Sequence, residues 1–187
     1  VPARLQSSRL PNKVLADICG KSMIQRVLER CREASSVDAV VLCTDSVQLQ
    51  ELAEGWGFRV LMTSPDCSSG SERIASVAEP LMELAWDGAT PVAEQTAVIN
   101  VQGDQPFIDP AVIESMVAEF RRRDPVPAVV TPVYELKSDT VHNPNVVKTL
   151  LAHDGRALYF SRSAIPHVRD VDTADWYRHT TYWGHVG

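Results

Sequence analysis

Val37-Asp-Ala-Val-Val-Leu-Cys-Thr44 is the stretch of this sequence that decides its fold. Six of its eight residues are apolar and four are β-branched. Such a run is typical of a strand that is buried on both faces, as in the centre of a parallel sheet. We therefore predict a central parallel strand here.

Predicted helices lie on both sides of this strand in the sequence. Before it, apolar residues recur at helical spacing from Met23 to Ala34, and Ser22 with Gln25 has the spacing of a capping box. After it, Asp45 is predicted to cap a second helix. Further elements alternate along the chain: strands over 58–62, 96–101 and 128–133, and helices over 69–86 and from 109. This alternation predicts an α/β fold with an open, mostly parallel, Rossmann-like sheet.

The C-terminal part of the sequence breaks this alternation. Val146–Leu151 and Ala157–Arg162 are apolar runs joined by a short Asp-Gly turn, which predicts an antiparallel hairpin. A further strand is predicted over Trp176–Tyr182. We therefore expect an α/β core over residues 1–142 and an antiparallel hairpin annex over 143–187, within the same domain.

Composition and charge limit the function of the chain. Its 187 residues are 44% apolar and carry a net charge of −6. Residues 1–32 hold seven Lys or Arg against two Asp or Glu, whereas the remainder holds eleven against twenty-two. A basic opening on an acidic body suits a small polyanion better than nucleic acid, since no extended basic stripe is present.

The sequence also bears on the cellular compartment. The longest purely apolar run, Ala39–Cys43, is far shorter than a membrane helix, and no signal-peptide pattern opens the chain. The four cysteines are too widely spaced for a Cys-x-x-Cys metal or redox site. We therefore expect a cytoplasmic protein with free thiols and, because the first residue is not Met, a few further residues upstream.

The opening loop, Val1–Lys13, is the first candidate for ligand binding, because it combines three cations with serine hydroxyls and helix-breaking prolines. In open α/β sheets ligands bind beyond the carboxyl ends of the strands, so the loops after the predicted strands should meet at one crevice. We expect this crevice to contain eight side chains, those of Arg4, Arg9, Lys13, Asp45, Ser69, Arg73, Gln102 and Asp104.

Two members of this set carry specific expectations. Asp104 closely follows a predicted buried strand and is our metal candidate, since Mg²⁺ prefers one or two carboxylates with substrate phosphates and water. The alternative for Asp104 is a turn cap. Arg73 is predicted in the first turn of a helix, where the helix dipole disfavours a cation. We therefore expect Arg73 to have another partner.

Several common enzyme motifs are absent from the sequence. Neither a P-loop nor a Gly-x-Gly-x-x-Gly dinucleotide fingerprint is present, and no Gly-x-Ser-x-Gly indicates a hydrolase. His153 and His167 lie in predicted surface turns and are expected to be solvated. His179, on a predicted strand, is a candidate for either a structural or a functional role.

The sequence resembles the 3-deoxy-manno-octulosonate (KDO) cytidylyltransferases over essentially its whole length. Seven segments occur in the order and spacing of that family: Pro2-Ala-Arg-Leu-Gln-Ser-Ser-Arg-Leu-Pro-Asn-Lys13, Met62-Thr-Ser-Pro-Asp66, Ser69-Gly-Ser-Glu-Arg73, Asn100-Val-Gln-Gly-Asp-Gln-Pro106, Asn143-Pro-Asn-Val-Val-Lys148, Ala157-Leu-Tyr-Phe-Ser-Arg-Ser163 and Arg178-His179. Ala-Leu-Tyr-Phe-Ser-Arg and Asn-Val-Gln-Gly-Asp are specific to that family rather than to nucleotidyltransferases at large.

The resemblance implies a function. Members of that family make CMP-KDO from CTP and KDO with release of pyrophosphate, and so supply the sugar for lipopolysaccharide. It further implies Mg²⁺ as cofactor and a cytoplasmic homodimer, with no nucleic acid partner and no membrane insertion. Residues 1–142 would form the nucleotide-binding core, and 143–187 the sugar-binding and dimerisation annex.

The resemblance also implies roles for individual residues, carried over position by position. Contacts to the nucleotide are expected from Ala3, Arg4, Arg9, Lys13, Ser69, Gly70 and Arg73. Contacts to the sugar acid are expected from Gln102, Arg162 and His179. The expected catalytic residues are Arg9, Lys13 and Asp104, of which Asp104 would hold the metal.

The sequence departs from the family at three places. Asn12 and Val14 replace a usual Gly and Pro, and we expect the loop to survive because Asn tolerates a left-handed turn and Val an extended chain. The residues after His179 leave the family pattern. The family's C-terminal portion, with a second acidic metal ligand, is missing, so we expect a fragment with an incomplete metal site, whose activity as it stands is open.

Two alternatives remain at this point. The acceptor of a related enzyme would be 8-amino-KDO or a sialic acid, which a panel of acceptors would distinguish. Alternatively, the chain would be a non-catalytic relative that binds nucleotide or pairs with a partner. CTP binding without pyrophosphate release would indicate that second case.

Overall fold

The computed structural model describes five stretches of the chain, residues 1–6, 10–86, 92, 95–137 and 140–186. Its contacts divide the chain into two compact units, Val1–Arg123 and Asp124–Gly187. No described sheet contains strands from both units.

The first unit combines short strands with helices. Its described strands are β1 (Pro2–Ala3), β2 (Asp17–Ile18), β3 (Lys21–Ser22), β4 (Val41–Thr44) and β5 (Arg59–Met62). Its described helices are α1 (Met23–Arg32), α2 (Val47–Gly55), α3 (Gly70–Ala75), α4 (Ala78–Ala85) and α5 (Pro110–Arg122), with a 3₁₀ turn over Lys13–Leu15. In the stretches that the structure describes, no helix is both long and apolar enough to span a membrane.

The main sheet of this unit is parallel, with strand order β1-β4-β5. All four residues of β4 are buried. Leu42 packs into a cluster with Leu28 of α1 and Leu49 of α2, whereas the next residue, Cys43, packs against Ile74 of α3. Successive side chains of a strand point to opposite faces, so helices cover both faces of β4. The prediction of a central parallel strand is confirmed, although the strand is shorter than the apolar run.

Helix α1 joins the sheet to α5. Ile24 and Leu28 belong to the cluster on the sheet, while Val27 and Cys31 pack with Ile113 of α5. All five side chains are at most 4% exposed. The apolar face predicted for this helix is confirmed.

Most helix starts follow the predicted caps. Ser22, Ser69 and Asp109 each accept a hydrogen bond from a backbone N–H of the first helical turn. Helix α2 differs, because its cap is Ser46 rather than Asp45. The helix predicted over 69–86 is divided into α3 and α4.

Two strands predicted from apolar runs are not found in the described residues 95–137. Residues 96–101 form no ladder, although Ile99 and Val101 pack in the same cluster as α1. Of the strand predicted over 128–133, residues 128–132 form no strand, Val129 is 78% exposed, and Val133 begins a short strand that ends at Glu135. Both predicted ranges were wrong because an apolar run favours burial without specifying a hydrogen-bonded neighbour.

The second unit is built on an antiparallel sheet. Its described strands are β6 (Val133–Glu135), β7 (Lys148–Leu151), β8 (Ala157–Ser161) and β9 (Trp183–His185), in the order β6-β9-β7-β8. β7 and β8 form the predicted hairpin. The strand predicted over residues 176–182 is wrong: residues Thr173–Arg178 form a 3₁₀ helix capped by Asp172, and Trp176 within this helix is buried.

Sheet membership explains where the chain divides. β6 pairs with β9 and so belongs to the sheet of the second unit. The chain therefore divides between Arg123 and Asp124, whereas the boundary expected from the sequence lies between residues 142 and 143, within one domain. The assignment of nucleotide binding to 1–142, and of sugar binding to 143–187, stays a prediction.

Candidate active site

The carboxyl ends of the three parallel strands form one edge of the sheet in the first unit. Ala3 pairs with Thr44 in the ladder register, and Thr44 pairs with Met62. The three loops that follow these residues therefore start from a single row, as the strand-end rule predicts.

The loop after Val101 reaches the same edge although no strand precedes it. A β-carbon added at Gly103 would lie 3.0 Å from the carbonyl oxygen of Pro2 and 3.1 Å from Cβ of Ala3. Residue 103 therefore has to be small for the loop to pass this close to β1. The approach brings the next residue, Asp104, to the carboxyl end of β1.

Asp104 is paired with Lys13 at this edge. Nζ of Lys13 lies 2.6 Å from Oδ2 of Asp104, and the two side chains are 39% and 46% exposed. Asn12, just before the lysine, is left-handed at φ 55° and ψ 28°, and its N–H donates to the carbonyl of Leu5. The loop therefore keeps its turn with Asn12 in place of Gly, as predicted. Val14 is buried in the following 3₁₀ turn and not extended, so that part of the prediction was wrong.

The start of α3 also packs on β1. A β-carbon added at Gly70 would lie 2.9 Å from Cγ of Pro2 and 3.2 Å from Oε1 of Gln102. The amide of Gln102 donates to Oδ1 of Asn100 at 3.0 Å. Gly70 and Gln102 are therefore neighbours, and together with Lys13 and Asp104 they surround the end of β1.

Polar contacts fix the first turn of α3. The hydroxyl of Ser69 accepts the N–H of Glu72. The carboxylate of Glu72 accepts from the hydroxyl and the N–H of Ser68. These bonds, led by that of the hydroxyl, lower the pKa of Glu72 below its ordinary value. The capping interaction of Ser69 is confirmed, with Glu72 turned to Ser68.

Arg73 lies beneath this turn, and its side chain is only 3% exposed. Its guanidinium donates to Oδ2 of Asp45 at 3.1 Å, to the hydroxyl of Thr63 and to the carbonyl of Ser64. The expected second partner of Arg73 is therefore found. Its contacts join α3 to the two loops after β4 and β5 and so hold these parts of the candidate site together. The expected contact of Arg73 with the nucleotide stays a prediction.

Arg4 and Arg9 are the other two cations expected at the site. Arg4 follows β1 and is exposed. Arg9 lies outside the described residues, as do the neighbouring serines 7 and 8. The expected part of Arg9 in phosphate binding therefore stays a prediction.

Arg162 and His179 lie in the second unit, and both are exposed. Nη1 of Arg162 donates to the carbonyl of Pro144 at 2.9 Å. The backbone N–H of His179 donates to the carbonyl of Trp176, at the end of the 3₁₀ helix. The guanidinium of Arg162 and the ring of His179 are thus on the surface of their unit.

Lys148 was given no role by sequence reasoning, although it lies in the second unit beside Arg162. Its side chain is fully buried, and Nζ donates to the carbonyls of Asn143, Val146 and Arg162 at 2.9, 2.8 and 2.6 Å. The signal was available, since a lysine within the apolar strand pattern Val-Val-Lys-Thr-Leu-Leu is unusual.

Comparison with known proteins assigns the chain to a family. A family model described as a cytidylyltransferase matches residues 1–186. The chain belongs to the cytidylyltransferase family. Within this family the similarity is to the KDO-specific members, as the sequence motifs predicted.

Two cytidylyltransferases and one solved structure illustrate this similarity. The 3-deoxy-manno-octulosonate cytidylyltransferase of Myxococcus xanthus is 40% identical over 189 residues, covering 100% of this chain and 69% of the relative. That of Idiomarina loihiensis is 44% identical over 177 residues, covering 94% and 65%. The structure of CMP:2-keto-3-deoxy-manno-octonic acid synthetase complexed with CTP matches with a TM-score of 0.81 and 34% identity, over 100% of this chain and 69% of that one. The predicted nucleotidyltransferase fold is therefore confirmed.

Proposed function

We propose that this chain acts as a KDO cytidylyltransferase, joining CTP and KDO to give CMP-KDO and pyrophosphate for lipopolysaccharide synthesis. The observation that carries the proposal is the pairing of Lys13 with Asp104 at 2.6 Å, at the end of β1. This pair brings together a cation suited to phosphates and a carboxylate suited to a metal ion. The names of the relatives and the CTP-bound solved structure support the choice of nucleotide and sugar acid.

In the proposed reaction the anomeric hydroxyl oxygen of KDO attacks the α-phosphorus of CTP. A bond forms from that oxygen to phosphorus, and the bond from the α-phosphorus to the oxygen bridging to the β-phosphate breaks. The proton of the hydroxyl passes to solvent. Negative charge builds on the departing pyrophosphate. Lys13, with Arg9 from the same loop, is proposed to neutralise that charge. No covalent intermediate with the protein is needed.

Asp104 is proposed to hold Mg²⁺. Its carboxylate is a hard oxygen donor with an exposed face. Among the described residues no group of three or more His, Cys, Asp or Glu side chains could hold a metal ion. A single carboxylate fits Mg²⁺, which takes its other ligands from substrate phosphates and water. When bound, the ion would withdraw charge from the triphosphate, and Lys13 is proposed to turn from Asp104 to the phosphates.

Arg162 and His179 are proposed to bind KDO. A guanidinium holds a carboxylate through two parallel hydrogen bonds, a geometry that lysine cannot reproduce. We therefore expect Arg162→Lys to raise the KM for KDO more than the KM for CTP. An equal rise in both Michaelis constants would contradict this role.

The active form is proposed to be a homodimer in the cytoplasm. Besides the resemblance, β8 supports self-association: the strand lies at the edge of its sheet, and Leu158, Tyr159 and Phe160 are 60%, 62% and 42% exposed. Exposed edge strands with apolar side chains are prone to pair or to be covered. Light scattering on the purified chain should give twice the monomer mass, and Leu158→Lys should lower it. A monomer at all concentrations would contradict the proposal.

The test of the proposed function is pyrophosphate release from CTP and KDO in the presence of Mg²⁺. The chain is compared with Asp104→Ala and with Asp38→Ala, which removes another exposed carboxylate. Each is also prepared in a form extended at the C-terminus to the length of the relatives. Activity that survives Asp38→Ala and is lost with Asp104→Ala supports the proposal.

The same assay with 8-amino-KDO and sialic acid identifies the acceptor. If either of these acceptors is turned over faster than KDO, that acceptor becomes the proposed substrate. CTP binding by the extended form without release of pyrophosphate on any acceptor would instead indicate a non-catalytic relative.

A further inference from the structure

Lys148 is the buried cation of the second unit. Its side chain is 0% exposed, and its ammonium group donates all three N–H bonds to backbone carbonyls. Two of these carbonyls, of Asn143 and Val146, precede β7, and the third, of Arg162, follows β8. One side chain therefore joins the two ends of the hairpin opposite its turn.

The stability of the fold does not explain why a lysine is buried at this position. No carboxylate pairs with Lys148 among the described residues, so the charge is compensated only by carbonyl dipoles. Burying a charge without a counter-ion is unfavourable, and a neutral apolar residue of similar size would fill the same space. Burial and the nearby charge of Arg162 accordingly lower the pKa of Lys148.

The hairpin has other means of holding together. β7 and β8 are paired along their ladder from Lys148↔Ser161 to Leu151↔Ala157. The buried hydroxyl of Thr149 also donates to the carbonyl of Tyr159 at 3.0 Å. Lys148 adds a connection from the start of β7 to the backbone of Arg162. The guanidinium of Arg162 donates in turn to the carbonyl of Pro144, which lies between the two upstream carbonyls that Lys148 contacts.

We propose that Lys148 is a positioning residue for acceptor binding: it fixes the backbone of Arg162 and the segment 143–146, and thereby the direction in which the Arg162 guanidinium meets the carboxylate of the sugar acid. This inference rests on the proposed function, because it assigns Arg162 to the acceptor. Lys148 itself stays buried and does not touch the substrate. Its removal therefore affects KDO binding and leaves CTP binding intact.

The test is calorimetric titration of KDO into the chain with CTP present and Mg²⁺ omitted, so that no turnover occurs. Lys148→Met keeps the length and removes the charge and the donors. We expect it to weaken KDO binding roughly tenfold or more, with the Kd for CTP unchanged within about twofold. Thr149→Val, which removes a buried hydrogen bond of the same hairpin, should lower the melting temperature and leave KDO binding unchanged. If Lys148→Met does not fold, the same titration is made with Lys148→Gln, which retains two N–H donors.

A double variant separates positioning from general damage to the hairpin. Once Arg162→Lys has removed the bidentate contact, adding Lys148→Met should weaken KDO binding by no more than about twofold further. The inference is overturned, and the proposed function is left standing, in two cases. In the first, the fold-losses of KDO affinity in the two single variants multiply in the double variant. In the second, Lys148→Met binds KDO as tightly as the unaltered chain. If the unaltered chain binds CTP and not KDO, the proposed function fails, and this inference fails with it.

Discussion

At the residue scale, the guanidinium of Arg73 shows how a cation can serve a site from inside. Arg73 and Asp45 are 3% and 17% exposed at their side chains and lie 3.1 Å apart. Breaking a buried pair by removing one partner leaves an uncompensated charge. We expect Arg73→Met to lower the free energy of unfolding by about 3–5 kcal/mol, measured by urea unfolding.

Arg122→Met is the matched control for this change. Arg122 pairs with Glu119 at 2.7 Å, but its side chain is 67% exposed. Exposed pairs contribute up to about 1 kcal/mol. If the two variants lost the same stability, the contacts of Arg73 would not be holding the loops of the candidate site together.

Gly70 is the second residue whose identity the packing explains. The β-carbon of Gly70→Ala would approach Cγ of Pro2 to 2.9 Å, and a proline ring has little freedom to move away. We expect a loss of about 1–3 kcal/mol in unfolding free energy, and CTP binding weakened roughly tenfold or more because α3 shifts from β1.

Gly55→Ala, at the end of α2, serves as the control, because a β-carbon there meets nothing within 4 Å. Alanine should stabilise that helix by up to about 1 kcal/mol without changing CTP binding. Equal CTP affinity in both alanine variants, measured by calorimetry, would contradict the assigned role of Gly70.

How far sequence reasoning reaches is also visible at single residues. The strand-end rule predicted that Lys13 and Asp104, 91 positions apart, share one edge, and they do, although the strand assumed before Asp104 is not formed. The dipole argument predicted a partner for Arg73 and could not name Asp45, since a partner distant in sequence follows only from the folded chain. The burial of Lys148 could have been suspected from its place in an apolar strand pattern, but its partners could not, because they are backbone carbonyls and these have no sequence signature.

At the scale of the elements, apolar runs formed strands only where another strand lay beside them to pair with. Val41–Thr44 lies between two strands and is a strand. Residues 96–101 are similarly apolar and form no ladder, although Val101 is buried. Burial follows from side-chain chemistry, whereas pairing depends on where other strands lie. Sequence patterns therefore predicted the layers of the fold better than its strand bounds.

His185 in β9 leads to a prediction of how the stability of the protein depends on pH. Burial lowers the pKa of His185 below its ordinary value of 6.5, and the ring contacts the hydroxyl of Thr131 at 2.7 Å. The unfolded chain then takes up a proton at a higher pH than the folded chain does, so stability falls as the pH drops below about 6.5. We expect the urea midpoint to decrease between about pH 7 and pH 5.5, and less so in His185→Asn.

His153→Asn, in an exposed turn, is the control for this pH effect. The window lies above the range in which glutamates such as Glu72 and Glu119 would contribute, since their lowered pKa values start from 4.5. An identical pH slope in His185→Asn and the unaltered chain would show that β9 does not sense pH through this ring.

At the scale of the whole molecule, the question is which segment binds CTP. The described residues of the candidate nucleotide site, from Ala3 to Asp104, all lie within the unit Val1–Arg123. The longer segment expected from the sequence, 1–142, adds β6, whose hydrogen-bonding partner is β9 near the end of the chain. A segment that ends at 142 therefore leaves β6 with an unpaired edge, which favours aggregation.

We therefore expect residues 1–123, produced alone, to be monodisperse and to bind CTP with a Kd within about threefold of that of the full chain, a difference of at most about 0.7 kcal/mol. Residues 1–142 should bind CTP no more tightly, because the described residues of the candidate nucleotide site already lie within Val1–Arg123. They should aggregate more readily, because β6 adds an unpaired strand edge. Calorimetry with CTP and size-exclusion chromatography measure both properties. CTP binding by 1–142 and not by 1–123 would assign the segment 124–142 to the nucleotide-binding core and uphold the boundary expected from the sequence.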